Sequence, residues 1–296
     1  RVLVQTQRLM PRCLSRISRS SVEAAPPEEC LHIDLPFLGI RLSINRMKRS
    51  GAHKKNFSVQ HGWYESDGLR VLQRSLDALD EPRFREAYRQ GMDSGHKICR
   101  AQGSKTDINI DWRVYTCCWA AQYATRLAGG FVEWGVNTGI ISLAVCHYVN
   151  FASLEKKFYL FDTYEGIPVE LMSDGERQAR MRENQDFYSD CYELTRQNFA
   201  PFPNAQLVKG MVPASLDTVD IPSVAYLSID MNIAAPEIAA MEHFWERLVP
   251  GGIVVFDDYG FLHYREQYLG LNEFARQRNV QIYTLPTGQG LLLKPP

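Results

Sequence analysis

Neither sign of charge is in surplus in this chain. Lys and Arg total 33 against 34 Asp and Glu, a formal net charge of −1 over 296 residues. Bulk electrostatics therefore give no reason to expect a nucleic-acid partner. No apolar run approaches the roughly 18–20 residues that span a bilayer, so no membrane partner is expected. No secretory apolar core is present near the start. The seven cysteines (13, 30, 99, 117, 118, 146 and 191) never form C-x-x-C, and the seven histidines form neither H-x-x-x-H nor a Cys/His cluster. A zinc site is thereby disfavoured. The odd thiol count, with Cys117 and Cys118 inside the apolar stretch "VYTCCWAAQYA", suits buried free thiols in a reducing, cytoplasmic compartment. The serine elbow G-x-S-x-G and the phosphate loop G-x-x-x-x-G-K-[ST] are missing, as are internal repeats and low-complexity tracts.

What is present begins irregularly. The first residue is Arg1 rather than Met, as in a fragment or a trimmed product. The first twenty residues are rich in Arg and Ser and contain no acid. They fit an organellar transit peptide, or a solvated, poorly ordered arm, which is the preferred reading. Breakers stay frequent up to residue 67, so 1–67 is expected to be an irregular N-terminal arm. Residues 68–128 read as a helical lead-in or lid. "GLRVLQRSLDALD" (68–80) places Leu69, Leu72, Leu76 and Leu79 at helical spacing. A second helix is predicted over 81–92 with Pro82 in its first turn. A third is predicted over 111–130, with Asp111 as N-cap and a double-glycine stop.

From about residue 129 the pattern changes to short apolar runs alternating with helical stretches. Strands are predicted over 131–135, 157–162, 205–210, 224–230 and 251–258, and helices over 138–149, 235–248 and 263–278, with a short one in "PASLDTV". A polar, helical insertion fills 166–200; its Met172, Phe187, Tyr188 and Tyr192 suit a lid over an acceptor or a small core of their own. Two closing strands, 280–285 and 290–294, flank "PTGQG" and read as an antiparallel edge hairpin. Continuous apolar strands between helices imply a mostly parallel, seven-stranded α/β sheet covered on both faces. Ligands of such sheets bind beyond the carboxyl ends of the strands.

Those ends are acidic. Glu133, Asp162, Asp230 and the pair Asp257–Asp258 close four of the first five strands. Two carboxylates about 4 Å apart repel by roughly 4 kcal/mol at an effective dielectric near 20, so the clustering calls for cationic or hydroxyl partners. The first turn, "EWGVNTG", has the form E-x-G-x-x-x-G, with Gly135 and Gly139 allowing a tight turn close to a ligand. A dinucleotide fingerprint would carry a glycine where Asn137 stands. The acid at 133 disfavours a diphosphate and favours a cationic ligand such as S-adenosylmethionine, with its sulfonium and ammonium groups. Asp162 is placed to accept both hydroxyls of a ribose, with Thr163 and Tyr164 beside it, or else simply caps the next turn. Asp230, Asp257 and Asp258 form an oxygen set suited to Mg²⁺, or else Asp258 caps a helix while Asp257 alone points inward. A metal-bound hydroxyl becomes more acidic, and Asp230 is the expected base that takes its proton. His263 reads as an auxiliary base or, preferably, a surface or helix-start histidine. Trp134, Tyr164 and Trp245 read as packing residues or as walls for an adenine.

The segments "FVEWGVNTGIIS", "FYLFDTYEGIP", "LSIDMN" and "RLVPGGIVVFDDYG" resemble the macrocin O-methyltransferase (TylF-type) family over about residues 105–296. The resemblance implies a Rossmann-like class I methyltransferase fold over 129–296 behind a helical N-terminal extension. It implies an S-adenosylmethionine-dependent, Mg²⁺-requiring O-methyltransferase acting on a sugar or glycosylated small molecule in natural-product or glycan modification. It further implies that Glu133, Gly135 and Asp162 hold the cofactor, and that Asp230, Asp257 and Asp258 bind the metal, with Asp230 doubling as base. Thr138, Gly139, Ser142, Thr163, Gly210 and Asp230 complete the expected cofactor contacts. One departure stands out: Asn232 occupies a position where the family pattern leads one to expect a second acid. Residues 1–104 match no pattern and are compatible with a lid, a fusion remnant or a homo-oligomer contact. An NAD-dependent oxidoreductase or epimerase and a non-catalytic nucleotide-binding module remain the alternatives.

Overall fold

The computed structural model describes residues 63–98 and 107–296, together with the backbone of 3–4, 30–35 and 40–45. The chain divides into two compact units, 1–54 and 55–296. In the first, β1 (Leu3–Val4), β2 (Cys30–Leu35) and β3 (Ile40–Asn45) form an antiparallel sheet in the order β1-β3-β2. β2 and β3 stay in register from Cys30↔Asn45 to Leu35↔Ile40. These strands fall within 1–67, the stretch read from the sequence as an irregular arm. "IRLSIN" alternates apolar and polar residues with period two, and that favours a strand despite the breakers around it. The rest of the Arg/Ser-rich start, Cys13 and Cys99 lie outside the described residues.

The second unit opens with a hairpin, β4 (Trp63–Ser66) against β5 (Leu69–Leu72). Its two-residue turn, Asp67-Gly68, has φ of 50° and 71°. Positive φ at both positions is the type I′ geometry that matches strand twist, and Asp-Gly is a favoured pair for it. The predicted helix over 68–80 is therefore corrected: Leu69 and Leu72 belong to β5, and only α1 (Asp77–Asp80) is helical. α2 (Pro82–Met92) and α3 (Asp111–Ala124) follow. Asp111 is the first helical residue rather than the N-cap, which is Ile110. Its Oδ1 accepts a 2.6 Å hydrogen bond from Tyr64 Oη and so ties the hairpin to α3.

The main sheet contains β6 (Gly130–Trp134), β7 (Phe158–Asp162), β8 (Ala205–Lys209), β9 (Val224–Ile229), β10 (Leu248–Phe256), β11 (Tyr283–Thr284) and β12 (Gly290–Leu293). Their order is β11-β12-β10-β9-β6-β7-β8. The first five in sequence run parallel, while β12 is antiparallel to both β10 and β11. This is the seven-stranded, mostly parallel sheet expected from the sequence. The helices are α4 (Ile140–Tyr148), α5 (Asp174–Phe187) and α6 (Tyr192–Asn198) in the insertion, α7 (Ala234–Phe244) and α8 (Arg265–Gln277). "PASLDTV" is a run of turns instead of a helix.

Every residue of β9 is buried, as a strand covered on both faces requires. Alternate side chains divide between two apolar layers. Phe131, Phe158, Leu160 and Ile253 pack with α2, α3 and α4. Val132, Trp134, Phe161 and Val254 pack with α7 and α8. The chain winds outward from β6 through β7 and β8, then returns to β9 on the other side of β6. The order reverses between β6 and β9, and a crevice opens at their carboxyl ends, where α/β sheets bind ligands. No helix among the described residues is long and apolar enough to cross a membrane.

Candidate functional site

A cavity occupies that crevice, walled among the described residues by ones between His96 and Pro236. The floor is the turn after β6. Gly135 has φ of 85°, and a Cβ there would lie 1.8 Å from the Asp230 carbonyl oxygen, so only glycine lets β6 and β9 close up at this level. Asn137 adopts φ of 48°, a left-handed conformation that asparagine tolerates better than most residues. It supplies the backbone shape that a second glycine would supply in a dinucleotide fingerprint, and its N–H donates to Asp162 Oδ2 at 2.7 Å.

Glu133 lines the cavity yet is only 2% exposed. Burial pushes its carboxyl up to about 8, with Asp230 and Asp162 adding to the rise. The Ser142 hydroxyl beside it offsets part of that rise, although no hydrogen bond of normal geometry reaches the Glu133 Oε2 atom, which is buried without a partner. A buried acceptor without a donor is costly, and a cationic or N–H-bearing ligand would satisfy it. Asp162 is held by donors from its own loop: Asn137 N on Oδ2, with Tyr164 N on Oδ1 at 2.6 Å. These bonds lower its pKa against the larger opposing effect of burial, which leaves it raised. Each carboxylate oxygen can accept more than one donor, so Asp162 can hold its loop and still receive ligand hydroxyls.

Asp230, on the cavity wall, also belongs to an acidic cluster. Carboxylate oxygens of Asp230, Asp257 and Asp258 lie within 4.8 Å of one another. Burial and the Asp258 charge raise the pKa of Asp230, while Arg113 lowers it. Burial likewise raises Asp258, again opposed by Arg113. Arg113, from the first turn of α3, pairs with Asp257 and stands 3.7 Å from Asp258. Asp258 Oδ2 is buried without a partner. Asn232 lies in the left-handed region, with φ of 64°, and accepts the Tyr264 hydroxyl at 2.8 Å. Its amide faces Asp230 Oδ1 at 3.5 Å.

The insertion closes over this rim. Ser173 and Glu176 form a capping box at the start of α5. Glu176 serves two helices: Oε2 accepts Ser173 N at 3.0 Å, and Oε1 accepts Ala234 N, the first residue of α7, at 2.6 Å. Glu237, in the first turn of α7, accepts Met231 N at 3.0 Å. The loop carrying Asp230 is thus fixed at both of its flanks. Met172 packs with Ile167 and Ile233 in a small separate cluster, and Tyr188 lines the cavity.

The structure brings Glu133, Gly135, Asp162, Thr163, Gly210 and Asp230 to the cavity wall. Thr138, Gly139 and Ser142 stand behind that wall. Thr138 Oγ1 lies 2.9 Å from Ser94 Oγ, Gly139 caps α4 against the Phe199 ring, and Ser142 is buried beside Glu133. Trp134 lines the cavity, stacked on Phe161 at 4.0 Å. Tyr164 is buried, with its hydroxyl on the Leu160 carbonyl, and Trp245 packs edge-on against Phe274. His263 is exposed, in keeping with a surface histidine.

Two residues of the site escape a reading of strand ends. His96 lines the cavity and is held neutral by burial, which lowers it to about 4. Its Nδ1 accepts the Ile98 N–H at 3.1 Å, so Nε2 carries the proton. Arg113 had a signal available: it is a lone cation next to Val114, Cys117 and Cys118, all buried, and a charge among such residues needs a buried partner.

The macrocin-O-methyltransferase (TylF) family model matches residues 114–283. A tetracenomycin-C 4′-O-methyltransferase of Streptomyces olivaceus, acting on a dimethoxyrhamnosyl derivative by its name, is 25% identical over 150 residues, covering 48% of this chain and 57% of that protein. The chain thus spans little more than half the length of this curated relative. Among solved structures, the O-methyltransferase NovP superposes with a TM-score of 0.57 at 17% identity, over 75% of this chain and 98% of the other. The calicheamicin methyltransferase CalS11 gives 0.50 at 16% identity over 75% and 98%. These two likenesses establish a shared fold.

Proposed function

The chain belongs to the macrocin-O-methyltransferase (TylF) family, and from that premise we propose that it transfers a methyl group from S-adenosylmethionine to a hydroxyl of a sugar or glycosylated small molecule. The observation that carries this reading is the convergence of Glu133, Asp162 and Asp230 on one cavity at the β6–β9 crevice. Bound there, the cofactor supplies a sulfonium methyl that a hydroxyl oxygen can take as the sulfur–carbon bond breaks and its electron pair stays on sulfur. Glu133, with an unpartnered buried oxygen, receives the ammonium group and is ionised by it. Asp162 accepts the ribose hydroxyls, and Trp134 and Ile167 give apolar walls. The sugar-modifying activity in the relative's name supports a glycosidic acceptor.

Asp230 is the proposed base, which takes the acceptor's hydroxyl proton. Its raised pKa brings it toward the working pH, where a general base is most effective. A hard divalent cation such as Mg²⁺ suits the acidic cluster of Asp230, Asp257 and Asp258, in which Asp258 Oδ2 is a buried orphan while Asp257 also carries protein partners. Held by these residues, it would make the acceptor hydroxyl more acidic. The dinucleotide alternative is disfavoured by the buried acid at 133, which would face a diphosphate.

Titration calorimetry with S-adenosylhomocysteine tests the cofactor assignment. The protein should bind it, and Asp162→Asn should weaken binding by about 10- to 100-fold, the loss expected for hydrogen bonds to a charged group. Heat on adding NADH, with none from S-adenosylhomocysteine, would reverse the conclusion.

A further inference from the structure

The three carboxylates offered to a divalent ion are not equivalent. Both oxygens of Asp257 are already engaged. Oδ1 accepts Arg113 Nε at 3.3 Å and Gln289 Nε2 at 3.0 Å, and Oδ2 pairs with Arg113 Nη2. Two guanidinium nitrogens thus face the two oxygens of this one carboxylate. Asp258 is different: its Oδ2 is buried without a partner, and its Oδ1 lies 3.7 Å from the guanidinium. Asp230 Oδ1 meets the Asn232 amide at 3.5 Å and feels the Arg113 charge from farther off.

Arg113 is itself tightly placed. Its side chain is 15% exposed, lies 3.7 Å from Asp67 in the β4–β5 turn, and sits 5.1 Å from the Phe261 ring centroid. Gln289 Nε2 also reaches the Arg113 carbonyl at 3.3 Å. Guanidinium keeps its proton in proteins, and neighbouring acids hold the Arg113 pKa above its ordinary value despite burial. A permanent positive charge therefore sits on one edge of the oxygen set that a metal would use.

We propose that Arg113 is a resident counterion that withholds Asp257 from a divalent ion, confines the ion to Asp230 and Asp258, and keeps the affinity of the cluster low. The inference rests on the acidic cluster being the divalent site. It explains how the Asp257–Asp258 pair tolerates burial when no metal is bound. It also makes the metal exchangeable, because affinity for hard cations follows the number of charged ligands available. An arginine that served only to hold the fold together would have the opposite signature: its loss would loosen the site and weaken metal binding.

The test is a Mn²⁺ titration of chelator-treated protein, with free Mn²⁺ followed by electron paramagnetic resonance. Wild type, Arg113→Gln and Arg113→Lys are compared. Arg113→Gln should bind Mn²⁺ at least about tenfold more tightly than wild type, as a third carboxylate becomes available. Its metal-free form should melt lower, and Mn²⁺ should raise its melting temperature more than that of wild type. Arg113→Lys keeps the charge but cannot engage both Asp257 oxygens, so its affinity should fall between the other two. Should Arg113→Gln not fold, the lysine variant decides alone. Equal or weaker Mn²⁺ binding in whichever variant folds, or binding by none of the three, overturns the proposal. Calorimetry with S-adenosylhomocysteine on the same preparations judges the cofactor assignment separately.

Discussion

At the scale of single residues, the site is governed by charge taken out of water. Burial lifts the Glu133 carboxyl from the ordinary 4.5 to about 8. Between those values the folded chain holds a proton that the unfolded chain has lost. Stability from this group is therefore complete below about 4.5 and lost as pH rises through about 8. A bound ammonium group reverses the balance by favouring the ionised form. In thermal melts from about pH 5 to about pH 8.5, ligand-free Glu133→Gln should show a shallower loss of stability than wild type. In calorimetry, wild-type affinity for S-adenosylhomocysteine should rise with pH across the same interval, whereas the glutamine variant should bind more weakly and lose most of that pH dependence. A parallel pH profile in the two proteins would remove Glu133 from the ammonium contact. The acids of this site were legible because each ends a strand, and strand ends share a rim. The answering cation was not, because Arg113 comes from a helix and meets Asp257 across a separation of 144 residues. Local pattern cannot see a pair that only the packing of α3 on the sheet creates.

At the scale of elements, legibility followed the length and regularity of the pattern. β6, β7, β9 and β10 are near-continuous apolar runs between helices, and each was readable to within a few residues. The hairpin at 63–72 shows a conflict of signals. Leucines at helical spacing run through 69–79, but the Asp-Gly pair at 67–68 sets a type I′ turn, and the cross-strand pairing from Ser66↔Leu69 to Trp63↔Leu72 absorbs the first two leucines. A turn that fixes strand register outweighs a period that four residues can satisfy by chance. The capping box of α5 was also written in the sequence, as Ser173 and Glu176. Its second use, in which Glu176 also accepts from the start of α7, was not, since it needs the insertion folded back onto the sheet. Glu176→Ala removes both acceptors and should cost about 2–4 kcal/mol, the sum expected for a lost cap and one further buried N–H left unpaired. Urea denaturation should show a lower midpoint with an unchanged slope. Because Ala234 follows the Asp230 loop, S-adenosylhomocysteine binding should weaken as well. A normal binding constant in a destabilised Glu176→Ala protein would show that the insertion does not help to position that loop.

At the scale of the molecule, the winding of the sheet turns scattered acids into a site. Glu133 and Asp230 are distant in sequence, but β6 and β9 are parallel neighbours, so both chains leave the sheet at the same crevice. The alternation of strands and helices was enough to foresee a doubly covered parallel sheet, and the rule for its ligand-binding edge then pointed to the rim. The boundary of the first unit was not foreseeable in this way, because its strands lie among breakers. The structure divides the chain after residue 54, and among the described residues those lining the cavity fall between His96 and Pro236. Cofactor recognition should therefore be a property of the second unit. A chain beginning at Lys55 should fold cooperatively and bind S-adenosylhomocysteine within about threefold of the full protein, a difference of less than about 0.7 kcal/mol. Turnover of a glycosidic acceptor is a separate readout and reports any part that residues 1–54 take in acceptor binding. If the shortened chain folds with a native-like melting transition yet loses cofactor binding, residues before Lys55 contribute to the pocket, and the cavity at the β6–β9 crevice is not the whole binding site.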